Sequence, residues 1–452
     1  MLSLVLCLCL FACGDLDSSG TPSGDGPGIT PGDTSGGGDE TGGNDENGNG
    51  DETGGNDETD TVESMAHKMD KLVQDFWNSD TMYDETVLMV APTDSNGNVT
   101  GAPRGKLMFA PTEVLSVTQY NAPSTNQFTS DDYTIEDGYM VAKGEIVDGA
   151  GGKKVFSGNL PYVNDKAITG EEPFPGVPQN TQIPSTDQGL YLPFCENGAI
   201  VKYQLYVCYK HEKATTDALP AFELGKLKNL QALLTKKNDI ELFIYGDSIS
   251  TGANCSGHLQ LDPNTQPWFK LVQKNLGAAY DCKVNLKNYS VGGWTSSQGV
   301  SGGTGTITQS GLKALFENPK KLQGYVPDLA VLGFGMNDAT LNVGIDTYKS
   351  NMKKMIDVLR NENPKCDIIL LGTWLANPKA KNQCKNQTEY TASLYDVAKD
   401  YSNVIVVDVG KVHKAILDSG KSYTETSSNN VNHPNDFTTR MYAMSILKAL
   451  VK

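Results

Sequence analysis

The stretch IELFIYGDSISTGAN, residues 240–254, is an apolar run followed at once by Gly-Asp-Ser. Its first part has the length and the aliphatic and aromatic content of a strand that is buried on both faces. Ser248 follows shortly after the end of that strand. The stretch therefore predicts a buried strand, a tight turn, and a serine that is either a nucleophile or part of the turn.

Outward from this stretch, apolar runs alternate with amphipathic segments. The other strand candidates are KVNLKNYS (283–290), DLAVLGFG (328–335), CDIILLGT (366–373) and NVIVVDVG (403–410). The helix candidates are PWFKLVQKNLG (267–277), YKSNMKKMIDVLR (348–360), TEYTASLYDVAKDY (388–401) and TTRMYAMSILKALV (438–451). This alternation predicts an α/β fold whose parallel sheet is covered by helices on both faces. In such sheets, ligands bind at the carboxyl ends of the strands.

Residues 62–237 have a different pattern. SMAHKMDKLVQDFW, residues 64–77, predicts one amphipathic helix. Short β-rich runs separated by Gly, Pro and Asn follow, and they predict a mostly β, sandwich-like domain. These runs are TVLMVA, GKLMFA, VLSVTQY, GYMVAKG, GLYLPF and AIVKYQLYVCY. Carbohydrate binding and packing against the next domain are both compatible with this pattern.

The first 61 residues do not have the composition of a folded domain. Residues 1–13, MLSLVLCLCLFAC, have the length of a signal-peptide core and are too short to span a bilayer. LFAC resembles the lipobox of bacterial lipoproteins, in which the cysteine, here Cys13, carries lipid; an ordinary secretory signal is the alternative. Residues 14–61 are acidic, contain GDETGGNDE twice and predict a disordered linker. We expect an exported protein at the cell surface.

The formal net charge of −17 is concentrated in that linker. Of the 54 acidic residues, 14 lie between Asp15 and Glu63, where there is no Lys or Arg. From Ser64 onward, 40 acidic residues face 37 basic ones. This balance and the lack of a basic stripe argue against nucleic acid or an anionic membrane surface as a partner. The membrane is expected to be a partner only through a lipid anchor at Cys13.

Six of the nine cysteines follow Cys13, namely Cys195, Cys208, Cys255, Cys282, Cys366 and Cys384. An even set in an exported protein permits disulfides, and the pairing stays open. None of them has a Cys-x-x-Cys spacing and the five histidines are scattered, so we expect no structural metal.

A serine hydroxyl is a weak nucleophile unless a base takes its proton. His433 lies in NNVNHPND, a polar loop between the last predicted strand and the last predicted helix. That loop belongs to the same sheet edge as Ser248, so His433 is the expected base. His258, ten residues after Ser248, is the alternative.

Ester cleavage also requires donors for the oxyanion that develops on the carbonyl. The Ser248 backbone N–H is one candidate. Glycine at position 293 lets a second backbone N–H approach closely, and the Asn337 side-chain amide is the third candidate. We expect Asp247 and Asp338 to be structural hydrogen-bond partners.

The four blocks GDSIS (246–250), NYSVGG (288–293), GFGMND (333–338) and NHPND (432–436), in this order, resemble those of the SGNH/GDSL hydrolase family. The resemblance covers residues 238–452 and implies a three-layer α/β/α sandwich. It also implies that Ser248 is the nucleophile, Gly293 and Asn337 are oxyanion donors, and His433 is the general base. No cofactor is implied.

One position departs from the family pattern. The usual acid lies three residues before the histidine, and here that position is Asn430. We therefore expect a Ser-His dyad whose histidine is oriented by Asn430 or by a backbone carbonyl. Asp436 is the nearest carboxylate in sequence and is expected to cap the last helix.

These features predict an exported esterase that deacetylates a polysaccharide or oligosaccharide. The one Gly-x-Ser-x-Gly match after residue 61, at 299–303, does not directly follow a predicted strand as a nucleophile elbow must, which argues against an α/β-hydrolase. A lipase or lysophospholipase of the same fold is one alternative. A surface carbohydrate-binding protein without catalytic activity is the other. Trp268, Trp294 and Trp374 lie near predicted strand ends or helix starts, where a ring is able to stack on a sugar, but core packing is the expected role of each.

Overall fold

The computed structural model describes residues 65, 68–121, 124–177, 183–303, 309–381, 383 and 386–452. The predicted signal peptide and linker, residues 1–61, and Cys384 lie outside these ranges. All the described residues belong to one compact unit. Within them, no helix combines the length and the apolar character needed to cross a bilayer.

The part before residue 237 is rich in short strands. They are β1 (Thr81–Leu88), β2 (Val90–Ala91), β3 (Arg104–Lys106), β4 (Pro111–Asn121), β5 (Ser124–Phe128), β6 (Tyr133–Glu136), β7 (Tyr139–Ala142), β8 (Ile146–Asp148), β9 (Lys154–Phe156), β10 (Val163–Asn164) and β11 (Gln204–His211). One sheet has the order β1-β11-β4-β5, and a second has the order β10-β2-β3-β7-β6. The pairings are antiparallel except that of β10 with β2. The predicted β-rich region is confirmed.

Two local predictions in this region are wrong. The described residues 68–77 contain only the 3-10 turn Lys71–Val73 where the pattern predicts an amphipathic helix. Met65 is helical, so the helix prediction fails over residues 68–77. The apolar side chains Val73, Phe76 and Trp77 are nevertheless buried in the core, as the pattern predicts. GLYLPF forms no strand and has a single bridge at Tyr191.

The second part contains the parallel sheet. Its strands are β12 (Ile240–Gly246), β13 (Val284–Asn288), β14 (Leu329–Gly333), β15 (Asp367–Leu371) and β16 (Val404–Val407), in the order β13-β12-β14-β15-β16. All neighbouring pairs are parallel. The chain moves from β12 to one side and then returns past it to the other, so the switch point of the topology lies at β12.

Helices cover both faces of this sheet. Over both parts of the chain, the described helices are α1 (Asp165–Thr169), which lies in the β-rich region, α2 (Lys228–Thr235), α3 (Ser248–Thr251), α4 (Ser256–Leu259), α5 (Trp268–Tyr280), α6 (Ser296–Ser301), α7 (Leu312–Glu317), α8 (Met336–Thr340), α9 (Ile345–Glu362), α10 (Gln387–Lys399), α11 (Val409–Asp418), α12 (Tyr423–Thr426) and α13 (Asp436–Leu450). Along β12, Leu242 packs into one apolar cluster and Phe243 into another, as period-2 alternation requires of a strand buried on both faces. The predicted α/β/α sandwich is confirmed.

One apolar core is shared by the β-rich region and the parallel sheet. The same cluster contains Phe76 and Val207 from the first part and Leu242 and Phe437 from the second. The rings of Phe76 and Phe437 lie 5.9 Å apart. The predicted boundary at residues 237 and 238 thus falls within a continuous core, and the division into two domains stays a prediction.

A buried ion cluster also joins the two parts. Lys421 Nζ lies 2.7 Å from Glu85 Oε1 and 3.3 Å from Glu425 Oε1, and the Lys421 and Glu85 side chains have no exposed surface. The same ammonium donates to the carbonyls of Thr86 and Lys106 at 2.6 and 3.0 Å. Because the cluster ties β1 to the segment that precedes His433, it anchors the loop that carries the predicted base.

Replacing Lys421 with methionine is expected to destabilise the fold by about 3–5 kcal/mol, because Glu85 and Glu425 then stay buried without a counter-charge. Urea denaturation measures this loss. Lys414→Met is the matched control, since Lys414 forms an exposed pair with Asp418 and its removal should change stability by less than about 1 kcal/mol. Equal losses for the two variants would contradict the assignment.

Candidate active site

The loops after three adjacent strands converge at the carboxyl edge of the parallel sheet. Ser248 follows β12, Gly293 follows β13 and Asn337 follows β14. Because β13 and β14 flank β12, the serine lies between the two loops that carry the predicted oxyanion donors. The switch point of the sheet therefore coincides with the predicted site.

Ser248 and His433 form a hydrogen-bonded pair. The distance from Ser248 Oγ to His433 Nε2 is 2.9 Å. Ser248 is the first residue of α3, and the carboxylate of Asp247 accepts a hydrogen bond from Ile249 N at 3.0 Å. As the first helical residue, Ser248 has an N–H without a partner inside the helix. The serine hydroxyl thus lies next to a base, and the serine N–H lies at the N-terminus of α3.

The other ring nitrogen of His433 faces two acceptors that the sequence did not point to. Nδ1 contacts Asn254 Oδ1 and lies 3.3 Å from Glu196 Oε2. Glu196 comes from the irregular segment before β11, in the β-rich region. Its other oxygen accepts from Asn429 Nδ2 at 3.1 Å. The β-rich region therefore supplies the carboxylate of a Ser-His-Glu arrangement, with Asn254 beside it.

The environment of Glu196 favours its charged form. Burial by itself raises the pKa of this carboxyl, but the charge of His433 and hydrogen bonds from His433, Asn429 and Asn254 outweigh it and lower the pKa below its usual value. The side chain keeps 23% of its surface exposed. Glu196 is thus an anion at neutral pH and can balance the charge of an imidazolium at His433.

The predicted role of Asn430 is wrong, because its side chain points to other partners. Its Oδ1 accepts from Thr424 Oγ1 at 2.8 Å and from Asn377 Nδ2 at 3.2 Å, and its Nδ2 donates to the carbonyl of Pro193 at 3.2 Å. Asn430 has a φ of 62°, in the left-handed region that asparagine tolerates. It shapes the histidine loop and does not contact the His433 ring.

Asn429, one residue earlier, holds the histidine loop in its turn. Its Oδ1 accepts from the backbone N–H groups of Val431, Asn432 and His433, each at 3.0 Å. Since its Nδ2 also donates to Glu196, this side chain joins the loop backbone to the carboxylate. It fixes both ends of the contact between His433 and Glu196.

The two predicted oxyanion donors lie on the loops that follow β13 and β14, the strands on either side of β12. Asn337 Nδ2 donates one hydrogen to the carbonyl of Trp294 at 3.0 Å, which fixes the amide and leaves its second hydrogen for a ligand. Gly293 has a φ of 78°, and a Cβ there would meet nothing within 4 Å. A Cβ on Gly292 would lie 3.8 Å from that of Ser248. The backbone at Gly292 therefore lies close to the nucleophile, and the positive φ of Gly293 is a conformation that favours glycine.

Asp338 ties these two loops together. Its carboxylate accepts from Ser296 N at 3.0 Å and from Ser296 Oγ at 2.6 Å, and the residue is completely buried. The bonds link α8, which carries Asn337, to α6, which follows Gly293. Asp338 and the capping Asp247 are therefore structural hydrogen-bond partners, as the sequence predicts.

Burial raises the pKa of Asp247 to about 7; desolvation is the main cause, the Ile249 N–H opposes it and the charge of Asp338 adds to it. An unfolded aspartate ionises near pH 3.8, so between pH 4 and 7 the folded state holds the extra proton. The free energy of unfolding should therefore fall as pH rises through this window.

Asp247→Asn, which keeps a capping oxygen, should reduce the fall in unfolding free energy between pH 5 and 8 by on the order of 2 kcal/mol. Urea denaturation at both pH values measures this change. Asp346→Asn is the control, because the Asp346 side chain is 99% exposed. An unchanged pH slope in Asp247→Asn would show that Asp247 is not the group responsible.

The remaining candidates lie elsewhere. His258 is exposed on α4, and the direct contact of His433 with Ser248 makes His433 the base that the geometry favours. The cap of α13 is Asn435, whose side chain accepts from Thr438 N, so the predicted capping role of Asp436 is wrong. Asp436 instead accepts from Ser256 N and Tyr206 Oη at 2.7 and 2.8 Å.

The three tryptophans and the described cysteines do not line this site. Trp268, Trp294 and Trp374 are each at most 1% exposed, so they belong to the core and offer no face for stacking sugars. The later cysteines that the structure describes are free thiols: Cys195, Cys208, Cys255, Cys282 and Cys366. No disulfide therefore holds the site together among them.

The comparisons agree with this geometry. A family model described as "GDSL-like Lipase/Acylhydrolase family" matches residues 244–439. A search of curated proteins finds no match.

Three solved structures illustrate the likeness. A two-domain esterase (CEX) active on acetylated mannans is 17% identical, with a TM-score of 0.37, over 49% of this chain and 52% of that one. Axe2, an acetylxylan esterase from Geobacillus stearothermophilus, is 17% identical, with a TM-score of 0.36, over 46% and 93%. The lipase Lip_vut3 from a goat rumen metagenome is 13% identical, with a TM-score of 0.35, over 47% and 98%. The match thus spans about half the length of the two-domain esterase, and such likenesses do not decide the substrate.

Proposed function

Residues 244–439 are a GDSL-like lipase/acylhydrolase domain, and from that premise we propose that the protein is an exported serine esterase that removes small acyl groups, acetyl above all, from carbohydrate esters. The observation that carries the proposal is the 2.9 Å contact between Ser248 Oγ and His433 Nε2, flanked by Glu196 on one side and the oxyanion donors on the other.

In the proposed mechanism, Ser248 Oγ attacks the ester carbonyl while His433 Nε2 takes the hydroxyl proton. The imidazolium is stabilised by the Glu196 carboxylate, and Asn254 holds the Nδ1–H. The tetrahedral intermediate collapses when His433 returns the proton to the departing sugar oxygen. A water molecule, deprotonated by His433, then attacks the acyl-enzyme, which releases the acid and restores Ser248.

The oxyanion of both tetrahedral intermediates needs donors that are already in position. The N–H groups of Ser248 and Gly293 and the free amide hydrogen of Asn337 supply them. Asn337 is held by Trp294 O, and Asp338 beside it is fixed to α6. Little reorganisation is therefore needed as charge develops, which is the basis of this form of catalysis.

Replacing Asn337 with alanine should lower kcat by about a hundredfold while KM changes little, because the amide acts on the oxyanion and not on the ground-state ester. Steady-state kinetics with p-nitrophenyl acetate measure both constants. The control is Asn342→Ala, in the turn after α8. A change confined to KM would exclude Asn337 from the oxyanion hole.

The surroundings of the serine favour a polar substrate. The polar side chains that contact His433 besides Ser248 are the carboxylate of Glu196 and the amide of Asn254. The loops after β13 and β14 add two glycines and the amide of Asn337. Such groups match a small acyl group on a hydroxyl-rich carrier better than a long alkyl chain. A lipase or lysophospholipase activity is the competing proposal.

Acetate release from acetylated xylan, acetylated mannan and p-nitrophenyl acetate tests the proposal, with Ser248→Ala as the control. Serine-dependent release from a glycan is the expected result. Preference for p-nitrophenyl palmitate over the acetate would favour the lipolytic alternative. A folded protein that cleaves none of these esters would overturn the proposal in favour of a binding protein.

We further propose that the protein is exported and held at the cell surface through lipid on Cys13. The support is the lipobox-like LFAC sequence and the acidic tract of residues 14–61. Incorporation of labelled palmitate in a bacterial host, lost in Cys13→Ser, is the expected result. Release of unlabelled protein into the medium would favour an ordinary secretory signal.

A further inference from the structure

A second polar cleft lies in the β-rich region. Its volume is 480 Å³, within the range of sites that bind small molecules. The walls come from β4, from the loops before α1 and after it, and from the segment between Glu196 and β11. No role in the proposed ester cleavage has been given to these residues.

The chemistry of the lining is that of a neutral, hydroxyl-rich ligand. Among the described residues, the polar side chains at the cleft are Gln119, Asn121, Asn159, Asn197, Lys202 and Tyr203, with prolines between them and no Asp or Glu. Amides offer both donors and acceptors, as sugar hydroxyls require. A single lysine is too little charge for a polyanion, and an alkyl chain would leave the amide donors and acceptors that have no partner in the protein without one.

The walls are held in place before any ligand arrives. Gln119 is 6% exposed, and its Nε2 donates to the carbonyl of Lys202 at 2.7 Å while its Oε1 accepts from Asn126. The Tyr203 ring packs edge-on against Phe174 at 5.6 Å. A ligand would therefore meet a prearranged surface with little entropy to lose on the protein side.

One chain segment contributes both to the cleft and to the contacts of His433. Glu196, 3.3 Å from His433 Nδ1, is followed directly by Asn197, which lines the cleft. Asn197 Oδ1 in turn accepts from Ala199 N at 3.1 Å, so a hydrogen-bonded turn directly follows Glu196. Because successive Cα atoms are about 3.8 Å apart, the cleft begins one residue away from the partner of the catalytic histidine.

We propose that this cleft binds an uncharged glycan segment of the substrate, which lies next to the acyl-bearing sugar held at Ser248. The inference rests on the proposed function, since it names the part of the substrate that remains outside the catalytic loops. It assigns to the β-rich region a role in binding the substrate, besides contributing Glu196 to the active site. In this proposal, the Tyr203 ring contacts a sugar ring of the glycan, and the exposed Asn121 amide bonds to its hydroxyl groups.

Binding is tested without turnover in full-length Ser248→Ala. Xylohexaose, mannohexaose and cellohexaose are titrated by calorimetry into this form and into the same form carrying Tyr203→Ala or Asn121→Ala. Tyr395→Ala is the matched control, because Tyr395 is 46% exposed on α10. At least one hexasaccharide should bind, and each cleft variant should weaken it by about tenfold, the equivalent of one lost contact.

A second readout uses the protein with Ser248 intact. Tyr203→Ala should raise KM for an acetylated polymer by about tenfold while leaving kcat/KM for p-nitrophenyl acetate within about twofold of that of the parent protein. Asn121→Ala, at an exposed position, guards against a folding defect in the tyrosine variant. The inference is overturned if no hexasaccharide binds. It is also overturned if both cleft variants keep the hexasaccharide affinity and the KM of their parent proteins.

The two proposals can fail separately. Serine-dependent ester cleavage that is insensitive to the cleft variants overturns the glycan cleft and leaves the esterase. Hexasaccharide binding that is lost in the cleft variants, without any ester cleavage, supports the cleft and overturns the esterase.

Discussion

Replacing Ser248 with alanine should lower kcat on p-nitrophenyl acetate by about a hundred-thousandfold, and His433→Ala should do the same. The two side chains act as a unit: without the serine no acyl-enzyme forms, and without the imidazole the hydroxyl keeps its proton. The double variant should therefore be little worse than either single variant. Single-turnover and steady-state kinetics on purified protein measure these losses.

Loss of the fold must be separated from loss of the reaction. Ser248 is only partly buried, so Ser248→Ala should keep the wild-type urea midpoint. His258→Ala is the matched control for the histidine, because His258 is exposed near the same site, and its activity should stay within a few fold of wild type. Substantial turnover in His433→Ala, combined with a large loss in His258→Ala, would move the base to His258.

Glu196→Gln should reduce kcat by about a thousandfold while changing KM little. A neutral amide cannot balance the charge of the imidazolium that forms at His433. Its N–H₂ group is also a donor, so it cannot accept a hydrogen bond from Nδ1–H. The loss should be smaller than for the nucleophile, because Asn254 still contacts Nδ1 and holds the ring. This effect would show that the β-rich region completes the catalytic machinery.

The matched control is Glu172→Gln, which removes a carboxylate of the same region that pairs with Lys153 at 3.2 Å. It should leave kcat unchanged. Thermal unfolding of both variants tests for a purely structural effect. If kcat of Glu196→Gln stays within about twofold of wild type while Asn254→Ala is inactive, Asn254 alone orients His433 and Glu196 has no part in the reaction.

Much of the parallel sheet and half of the site were predictable from short windows of sequence. The apolar run that ends before Ser248 is β12, residue for residue, and the other four predicted strands all occur within one to three residues of their expected limits. Ser248, Gly293 and Asn337 share one sheet edge because residues that closely follow parallel strands must do so. His433, in the loop before the last helix, reaches the same edge and contacts Ser248. These features depend on local periodicity and turn chemistry.

The helix expected at residues 64–77 shows the limit of such periodicity. Residues 68–77 bury the expected apolar side chains, yet only the 3-10 turn Lys71–Val73 forms. Packing against α13 satisfies the side chains without an α-helix, and Phe76 meets Phe437 across 361 residues of chain. A short window of sequence predicts here which side chains are buried. It does not predict the backbone conformation, which tertiary contacts determine.

The partner of His433 was beyond the reach of sequence reasoning. The expectation looked three residues before the histidine, where the chain has Asn430, whereas the carboxylate comes from Glu196. Its bond to Asn429 joins residues separated by 233 positions. Glu196 is the only acidic residue between Asp187 and Glu212, a weak signal that no motif spacing marks.

By itself, then, the sequence determined the alternation of strand and helix and pointed to the proposed nucleophile, base and oxyanion donors, since each follows from residues close together in the chain. Only the tertiary structure decided which side chains complete them. The packing of the β-rich region on the sheet brings Glu196 to His433 and buries Lys421 between Glu85 and Glu425. Contacts of that range depend on how two separately patterned regions share one core, and no local pattern encodes that.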